Sequence, residues 1–173
     1  DPFARDMFFF LEGFRYFDYK PFLEVVEMQV ELWIEDIPRK EHNGFVVFPY
    51  GKNTETDEIL NYQFNPNQNI AIARLFSELY FLPESKFFKK KLFKQIVFAE
   101  VGAALSLMGE DGSLQLAEHR PLVLDTNYAG YTSSMLAYVS QQWGGEWDNA
   151  ISKIGSWLYS SWPKEHPWNL PED

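Results

Sequence analysis

Residues 24–36, EVVEMQVELWIED, carry the clearest local pattern in this sequence. Every second residue in the middle of this stretch is apolar, namely Val26, Met28, Val30, Leu32 and Ile34. Such an alternation is typical of a β-strand with one buried face, because successive side chains of a strand point to opposite faces. The pattern therefore predicts a half-buried strand that ends before Pro38.

Two more strands are predicted directly after this one. Residues 45–50 are mostly apolar, and they follow Asn43-Gly44, a pair that is common in turns. Residues 58–64 also alternate, with Leu60, Tyr62 and Phe64 separated by polar side chains. Because only short polar loops separate the three segments, we expect an antiparallel meander.

The flanking segments favour helices. Residues 4–15 indicate a short helix, with an aromatic strand as the alternative, and further helices are predicted at about 70–82, 85–109, 131–142 and 146–161. Residues 113–118 and 121–125 resemble two short strands. The sequence therefore predicts an α+β fold. Its antiparallel sheet would have about three N-terminal strands, with the two short ones as an addition, packed against C-terminal helices.

Length and composition limit the classes of protein that remain. A chain of 173 residues is typical of one domain, which we expect to span residues 1–173 with a Pro- and Trp-rich tail at about 162–173. The aromatic content of 18% argues against global disorder. The absence of cysteine excludes disulfides, thiolate metal sites and cysteine nucleophiles. A net charge of −10 disfavours a nucleic acid as the partner.

The polar face of the predicted 24–36 strand is the first candidate site. It would present Glu27, Glu31 and Glu35 together with Trp33, at a spacing of about 6.8 Å between neighbours. An exposed tryptophan among carboxylates suits docking to a basic protein, with the acidic groups speeding encounter. The alternative is that one of the protein's own helices or its C-terminal tail covers Trp33.

The C-terminal tail is the second candidate for partner contacts. Trp162 and Trp168 lie in this proline-rich segment. Segments of this composition serve as peptide ligands, as platforms for sugars, or as tails that pack back onto the domain. All three alternatives stay open at the level of sequence.

A third group of residues could carry acid–base chemistry. The densest set of such side chains lies near the two predicted short strands and comprises Glu110, Asp111, Glu118, His119 and Asp125. Of these, Glu110, Asp111, His119 and Asp125 are the candidates for the reactive groups. They would suit a hydrolase or a small-ligand-binding protein with an aromatic pocket. Their spacing matches no catalytic or metal-binding motif, and surface roles in turns are the alternative. We therefore expect no metal and no cofactor.

The leading functional hypothesis is a small acidic domain that binds a basic protein. Its most specific form is a bacterial immunity protein that neutralises a basic toxin by covering the cleft that binds phosphates.

The longest apolar stretch, residues 96–108, contains Glu100 and is shorter than the roughly 20 residues that a membrane-spanning helix needs. We expect a cytoplasmic protein, with a removed signal peptide as the alternative, and the sequence leaves the oligomeric state open.

Overall fold

The structure is a computed structural model that describes residues 2–53 and 55–161. Within these residues the chain forms six helices and one two-stranded antiparallel sheet. In chain order they are α1 (Pro2–Phe17), α2 (Lys20–Asp36), β1 (Lys40–His42), β2 (Phe45–Val47), α3 (Pro66–Phe81), α4 (Lys91–Leu105), α5 (Thr126–Gln142) and α6 (Asp148–Ser161). The α+β class thus holds in a coarse sense, since the fold is mostly helical.

Helix α3 lies at the centre of the helical core. Every residue from Pro66 to Leu79 except Arg74 is buried. A helix buried on all sides must be covered by several neighbours, and α1, α4 and α5 pack against it. The buried carboxylate of Glu78 on α3 accepts a hydrogen bond from Arg74 Nε at 2.8 Å and lies 2.9 Å from Arg15 Nη1 on α1. These contacts compensate the charge of Glu78 inside the core.

The small sheet is a hairpin around the predicted Asn43-Gly44 turn. Asn43 has φ 47° and Gly44 has φ 89°, and two positive φ values in succession match the twist of a two-residue hairpin. Lys40 pairs with Val47 and His42 pairs with Phe45. The strand predicted at 45–50 is therefore present only as the three residues of β2, and its partner is the preceding polar segment.

The strand predicted over residues 24–36 is wrong, because these residues belong to helix α2. Leu23, Val26 and Val30 recur at spacings of three and four residues, so the same sequence also satisfies a helical period. All three are buried, whereas Met28 is 51% exposed and Leu32 is 44% exposed. The strand pattern had placed both of these residues in the core.

The other predicted strands are also not formed as regular strands. Residues 58–64 run beside 50–53, with hydrogen bonds from Leu60 N to Gly51 O and from Tyr50 N to Asn61 O. Only the pair Lys52 and Ile59 forms a β-bridge there, and residues 113–118 and 121–125 are likewise reduced to isolated bridges. Because helices rather than strands supply the core, no further strand in the described part of the chain extends these pairs into a sheet. The predicted count of about three strands plus two is therefore wrong.

Most of the predicted helices are confirmed, with shifted ends. The segments at 4–15, 70–82, 131–142 and 146–161 correspond to α1, α3, α5 and α6. Helix α5 begins earlier than expected because the Asp125 carboxylate caps it, accepting from Asn127 N at 2.9 Å and from Tyr128 N at 3.0 Å. The segment at 85–109 is helical only over α4, since turns precede it and Lys89 has φ 52°.

Candidate functional site

The outward side of helix α2 combines acidic and apolar side chains. Pro21 lies in the first turn of the helix, and the inward side is formed by Leu23, Val26 and Val30. At 3.6 residues per turn, the opposite side of this helix carries the α2 outer face, which we define as Glu24, Met28, Glu31, Leu32 and Glu35. All five are exposed. This face therefore has the composition that the sequence predicted for a docking surface, but with different apolar residues.

Glu27 does not lie on this surface. Its side chain is buried, and its Oε1 accepts hydrogen bonds from Ser85 Oγ at 2.8 Å and from Lys86 N at 2.7 Å. These bonds compensate the burial of the carboxylate, and they connect α2 to the turns that precede α4. The expectation of an outward Glu27 is therefore wrong, since the helical geometry of residue 27 directs its side chain inward.

Trp33 is half-buried rather than fully outward. Its ring stacks on Phe48, which follows the hairpin, with a centroid distance of 4.9 Å and an interplanar angle of 8°. Phe48 itself is buried and packs on Phe76 of α3. Trp33 therefore helps attach α2 to the hairpin side of the core. The protein's own residues cover part of its ring, as the alternative to an exposed Trp33 had it.

Glu31 and Glu35 stay outward, as the sequence indicated. Glu31 Oε2 forms an ion pair with Lys86 Nζ at 2.7 Å, and both side chains remain well exposed to solvent. An exposed ion pair of this kind contributes on the order of 0–1 kcal/mol, so a partner can displace Lys86 at little cost. Glu35 is exposed at the last turn of the helix.

Sequence reasoning missed Met28 and Leu32 as surface residues. They lie four positions apart and therefore adjoin on one side of the helix. The available signal was the spacing of two glutamates, because Glu31 and Glu35 share this side with Met28 and Leu32 only in a helix. A strand would have separated the two sets onto opposite faces.

A polar cleft of about 340 Å³ is the second notable feature of the described surface. The start of α3 contributes Asn65, Asn67 and Gln68, and the segment before α5 contributes His119 and Arg120. Tyr50 and Tyr128 complete the polar part of the wall. No sequence pattern indicated Asn67 and Arg120 as site residues, because they lie far from each other along the chain and meet only in the folded protein.

Of the four candidate acid–base residues, His119 is the one that lines this cleft. Asp125 caps α5, and Asp111 Oδ1 accepts from Ser113 N at 2.9 Å within an exposed turn. Hydrogen bonds with Ser113 lower the pKa of Asp111, which stabilises its charged form. Glu110 is exposed in the same turn. The cleft therefore does not combine His119 with any of the other three.

Two glutamates outside these surfaces hold loops in place. Glu118 Oε2 lies 2.7 Å from His42 Nε2 and accepts from Phe64 N at 2.9 Å, so it joins the hairpin to two later segments. Glu100 is fully buried on α4, where burial raises the pKa of its carboxyl to about 7. Neither carboxylate lines the cleft.

Within residues 2–53 and 55–161, the structure shows neither a metal-binding cluster nor a membrane-spanning helix. No group of three or more His, Asp or Glu side chains in this part of the chain is placed to hold a metal ion. None of its helices is both long and apolar enough to cross a bilayer. The proposed partner residues Trp162 and Trp168 lie outside the described residues.

The chain was compared with protein-family models, with curated proteins and with solved structures. None of the three comparisons returned a match. The functional argument therefore depends on the geometry described above.

Proposed function

We propose that this protein binds another protein through the α2 outer face, and that the partner is basic. The observation that carries this proposal is the exposed pair Met28 and Leu32, which are 51% and 44% accessible and adjoin on one side of the helix. Paired apolar side chains on one helix face are the usual anchors of a helix that docks into a groove. They take the role that the sequence had assigned to Trp33.

The charges around this pair indicate the chemistry of the partner. Glu24, Glu31 and Glu35 lie on the same side of α2 as the two apolar residues. The whole chain carries a net charge of −10, which attracts a basic protein at long range. Acidic side chains around an apolar centre favour rapid encounter followed by burial of the anchors.

In its most specific form, the proposal is an inhibitor such as an immunity protein that occupies the basic cleft of a toxin. The α2 outer face would then cover cationic groups that otherwise contact phosphate. The alternative of a hydrolase has less support, because Asp111 and Asp125 are engaged in a turn and a helix cap.

The proposal is tested by affinity capture from the source cells with mass spectrometry. We compare the unmodified protein with the double variant Met28→Ala/Leu32→Ala. The control is Leu60→Ala/Leu122→Ala, which removes two exposed apolar side chains outside α2. A basic protein captured by the unmodified chain and by the control, but weakened at least about tenfold in the α2 variant, is the expected result.

Two outcomes would contradict the assignment of this face. In the first, the α2 variant and the control retain the same captured proteins in the same amounts. In the second, the partner lost on mutation is acidic, which is incompatible with the charge of the face. Because Met28 and Leu32 are exposed, the variant should fold normally, and thermal unfolding followed by tryptophan fluorescence verifies this.

A further inference from the structure

Among the described residues, the cleft at the start of α3 is lined by basic side chains and by no carboxylate. Arg120 and His119 are the basic residues of this lining, and none of the described lining residues is an Asp or Glu. No carboxylate within the described parts of the chain lies at ion-pair distance from the Arg120 guanidinium. In a chain with 25 acidic and 15 basic residues, a cation kept apart from carboxylates is suited to an external anion.

The helix that opens into this cleft adds a second source of positive potential. The N-terminus of α3, a helix of 16 residues, supplies Asn65, Asn67 and Gln68 to the wall. The Asn65 side chain makes no capping hydrogen bond, and the side-chain oxygen bound at this end is Asn69 Oδ1, which accepts from Asn65 N at 2.8 Å. Within the described residues no carboxylate caps the first turn, so the positive end of the helix dipole still faces the cleft. Helix N-termini of this kind bind phosphate and other oxyanions.

The side chain of Asn67 points to a ligand independently of the helix. It is only 9% exposed, it lines the cleft, and it makes no hydrogen bond to the described residues. The enclosed side-chain atoms without a hydrogen-bond partner in the described residues are Asn65 Oδ1 and Glu78 Oε2, so the polar atoms of Asn67 reach the solvent of the cleft. By contrast, the neighbouring Gln68 donates to Tyr50 O at 2.8 Å. The amide of Asn67 is therefore available as a donor at the wall of the cleft.

We propose that this cleft binds a small phosphate-bearing anion. The Arg120 guanidinium offers a forked pair of donors, the Asn67 amide adds a further donor, and the α3 terminus contributes its dipole. Tyr50 and Tyr128 add hydroxyl groups and aromatic surface for the remainder of such a ligand. The volume of about 340 Å³ suits a small molecule rather than a polymer.

The probe for this proposal is inorganic phosphate, titrated into the ¹⁵N-labelled protein and followed by two-dimensional NMR. Sodium chloride keeps the ionic strength constant, and phosphate is added to about 20 mM, which takes a low-millimolar site well past half-saturation. We expect saturable shifts centred on the side-chain amide of Asn67 and on the backbone amides at the start of α3. Arg120→Gln should weaken the affinity at least about tenfold.

Two variants make the result decisive. Lys153→Gln removes one positive charge from an exposed residue of α6 that does not line the cleft, and it should bind phosphate as the unmodified protein does. Asn67→Asp places a carboxylate in the wall and should abolish binding, with correct folding verified from the rest of the spectrum. The proposal is overturned if phosphate produces no saturable shifts, if chloride alone produces the same shifts, or if Arg120→Gln and Lys153→Gln weaken binding equally.

Discussion

At the scale of single residues, Glu100 is a titratable group whose pKa is strongly raised by the fold. Its Oε1 accepts from Phe48 N at 2.9 Å, and its Oε2 accepts from Asn69 Nδ2 at 2.6 Å. Complete burial raises the pKa of this carboxyl to about 7, although the two hydrogen bonds and the charge of Arg39 oppose the rise. The Glu100 carboxyl therefore connects α4, α3 and the segment after the hairpin, and its charge changes near pH 7.

This raised pKa predicts the direction of a pH effect on stability. The folded state keeps the Glu100 proton up to about pH 7, whereas the unfolded chain loses it near the ordinary carboxyl pKa of 4.5. Between these limits the folded state binds more protons, so the contribution of Glu100 to stability falls as the pH rises. The contribution is fully present below the unfolded pKa and is lost as the pH passes through the folded pKa.

The variant Glu100→Gln tests this effect, because Gln does not titrate. Gln also cannot accept both hydrogen bonds, so we expect the variant to be less stable at either pH. Its deficit relative to the unmodified protein should be larger at about pH 5 than at about pH 8, by on the order of 2 kcal/mol. Urea denaturation followed by tryptophan fluorescence measures both values. A deficit that is equal at the two pH values, or larger at the higher one, contradicts the assignment.

At the scale of elements, the orientation of α2 decides which residues can meet a partner. Val30 is fully buried, whereas Met28 is 51% exposed, although only two positions separate them. In a strand, residues two positions apart point to the same face, so both side chains would be buried or both exposed. The difference between them therefore distinguishes a helix from a strand at residues 24–36.

Lysine substitutions at Val30 and Met28 test this difference in burial. Val30→Lys places a charge in the core and should lower the free energy of unfolding by about 3 kcal/mol or more, or prevent folding. Met28→Lys should change the same quantity by no more than about 0.5 kcal/mol, because its side chain is at the surface. Chemical denaturation of the two variants gives the comparison. Similar losses for both would support the strand and reject the helical account of α2.

The same element shows how far the sequence predicted the fold. Helices α3 and α6 were predicted because apolar residues recur in them at helical spacing, as at Ile72, Leu75 and Leu79 of α3 and at Ile151, Ile154 and Leu158 of α6. Residues 24–36 fit both periods, and only tertiary packing distinguishes them: Leu23, Val26 and Val30 form the buried side. The hairpin turn was predicted from Asn43-Gly44, but the pairing of its two short strands was not.

The candidate surfaces were predictable to different extents, because only some of their residues change orientation between a strand and a helix. Glu31 and Glu35 are outward in either conformation, so that part of the docking prediction did not depend on the period. Trp33 and Glu27 do depend on it, and both are turned towards the protein. The cleft joins residues from 50 to 128, and no local pattern can predict such an assembly.

At the scale of the whole molecule, charge is distributed unevenly over the surface. The α2 outer face presents Glu24, Glu31 and Glu35 around its exposed apolar pair. The polar cleft instead presents Arg120 and His119. An acidic face and a cationic cleft on one small molecule suit two different ligands, a basic protein and a small anion. The large negative net charge then acts mainly on the rate of protein encounter.

The most direct test of the α2 outer face is the rate at which this protein associates with the captured basic partner at low salt. Glu31→Lys/Glu35→Lys is compared with Glu110→Lys/Glu146→Lys, a pair of exposed residues outside α2 that gives the same net charge. We predict that the α2 variant associates at least about tenfold more slowly than the control, and that added salt reduces the difference. Equal rates for the two variants would contradict the assignment of the partner to the α2 outer face.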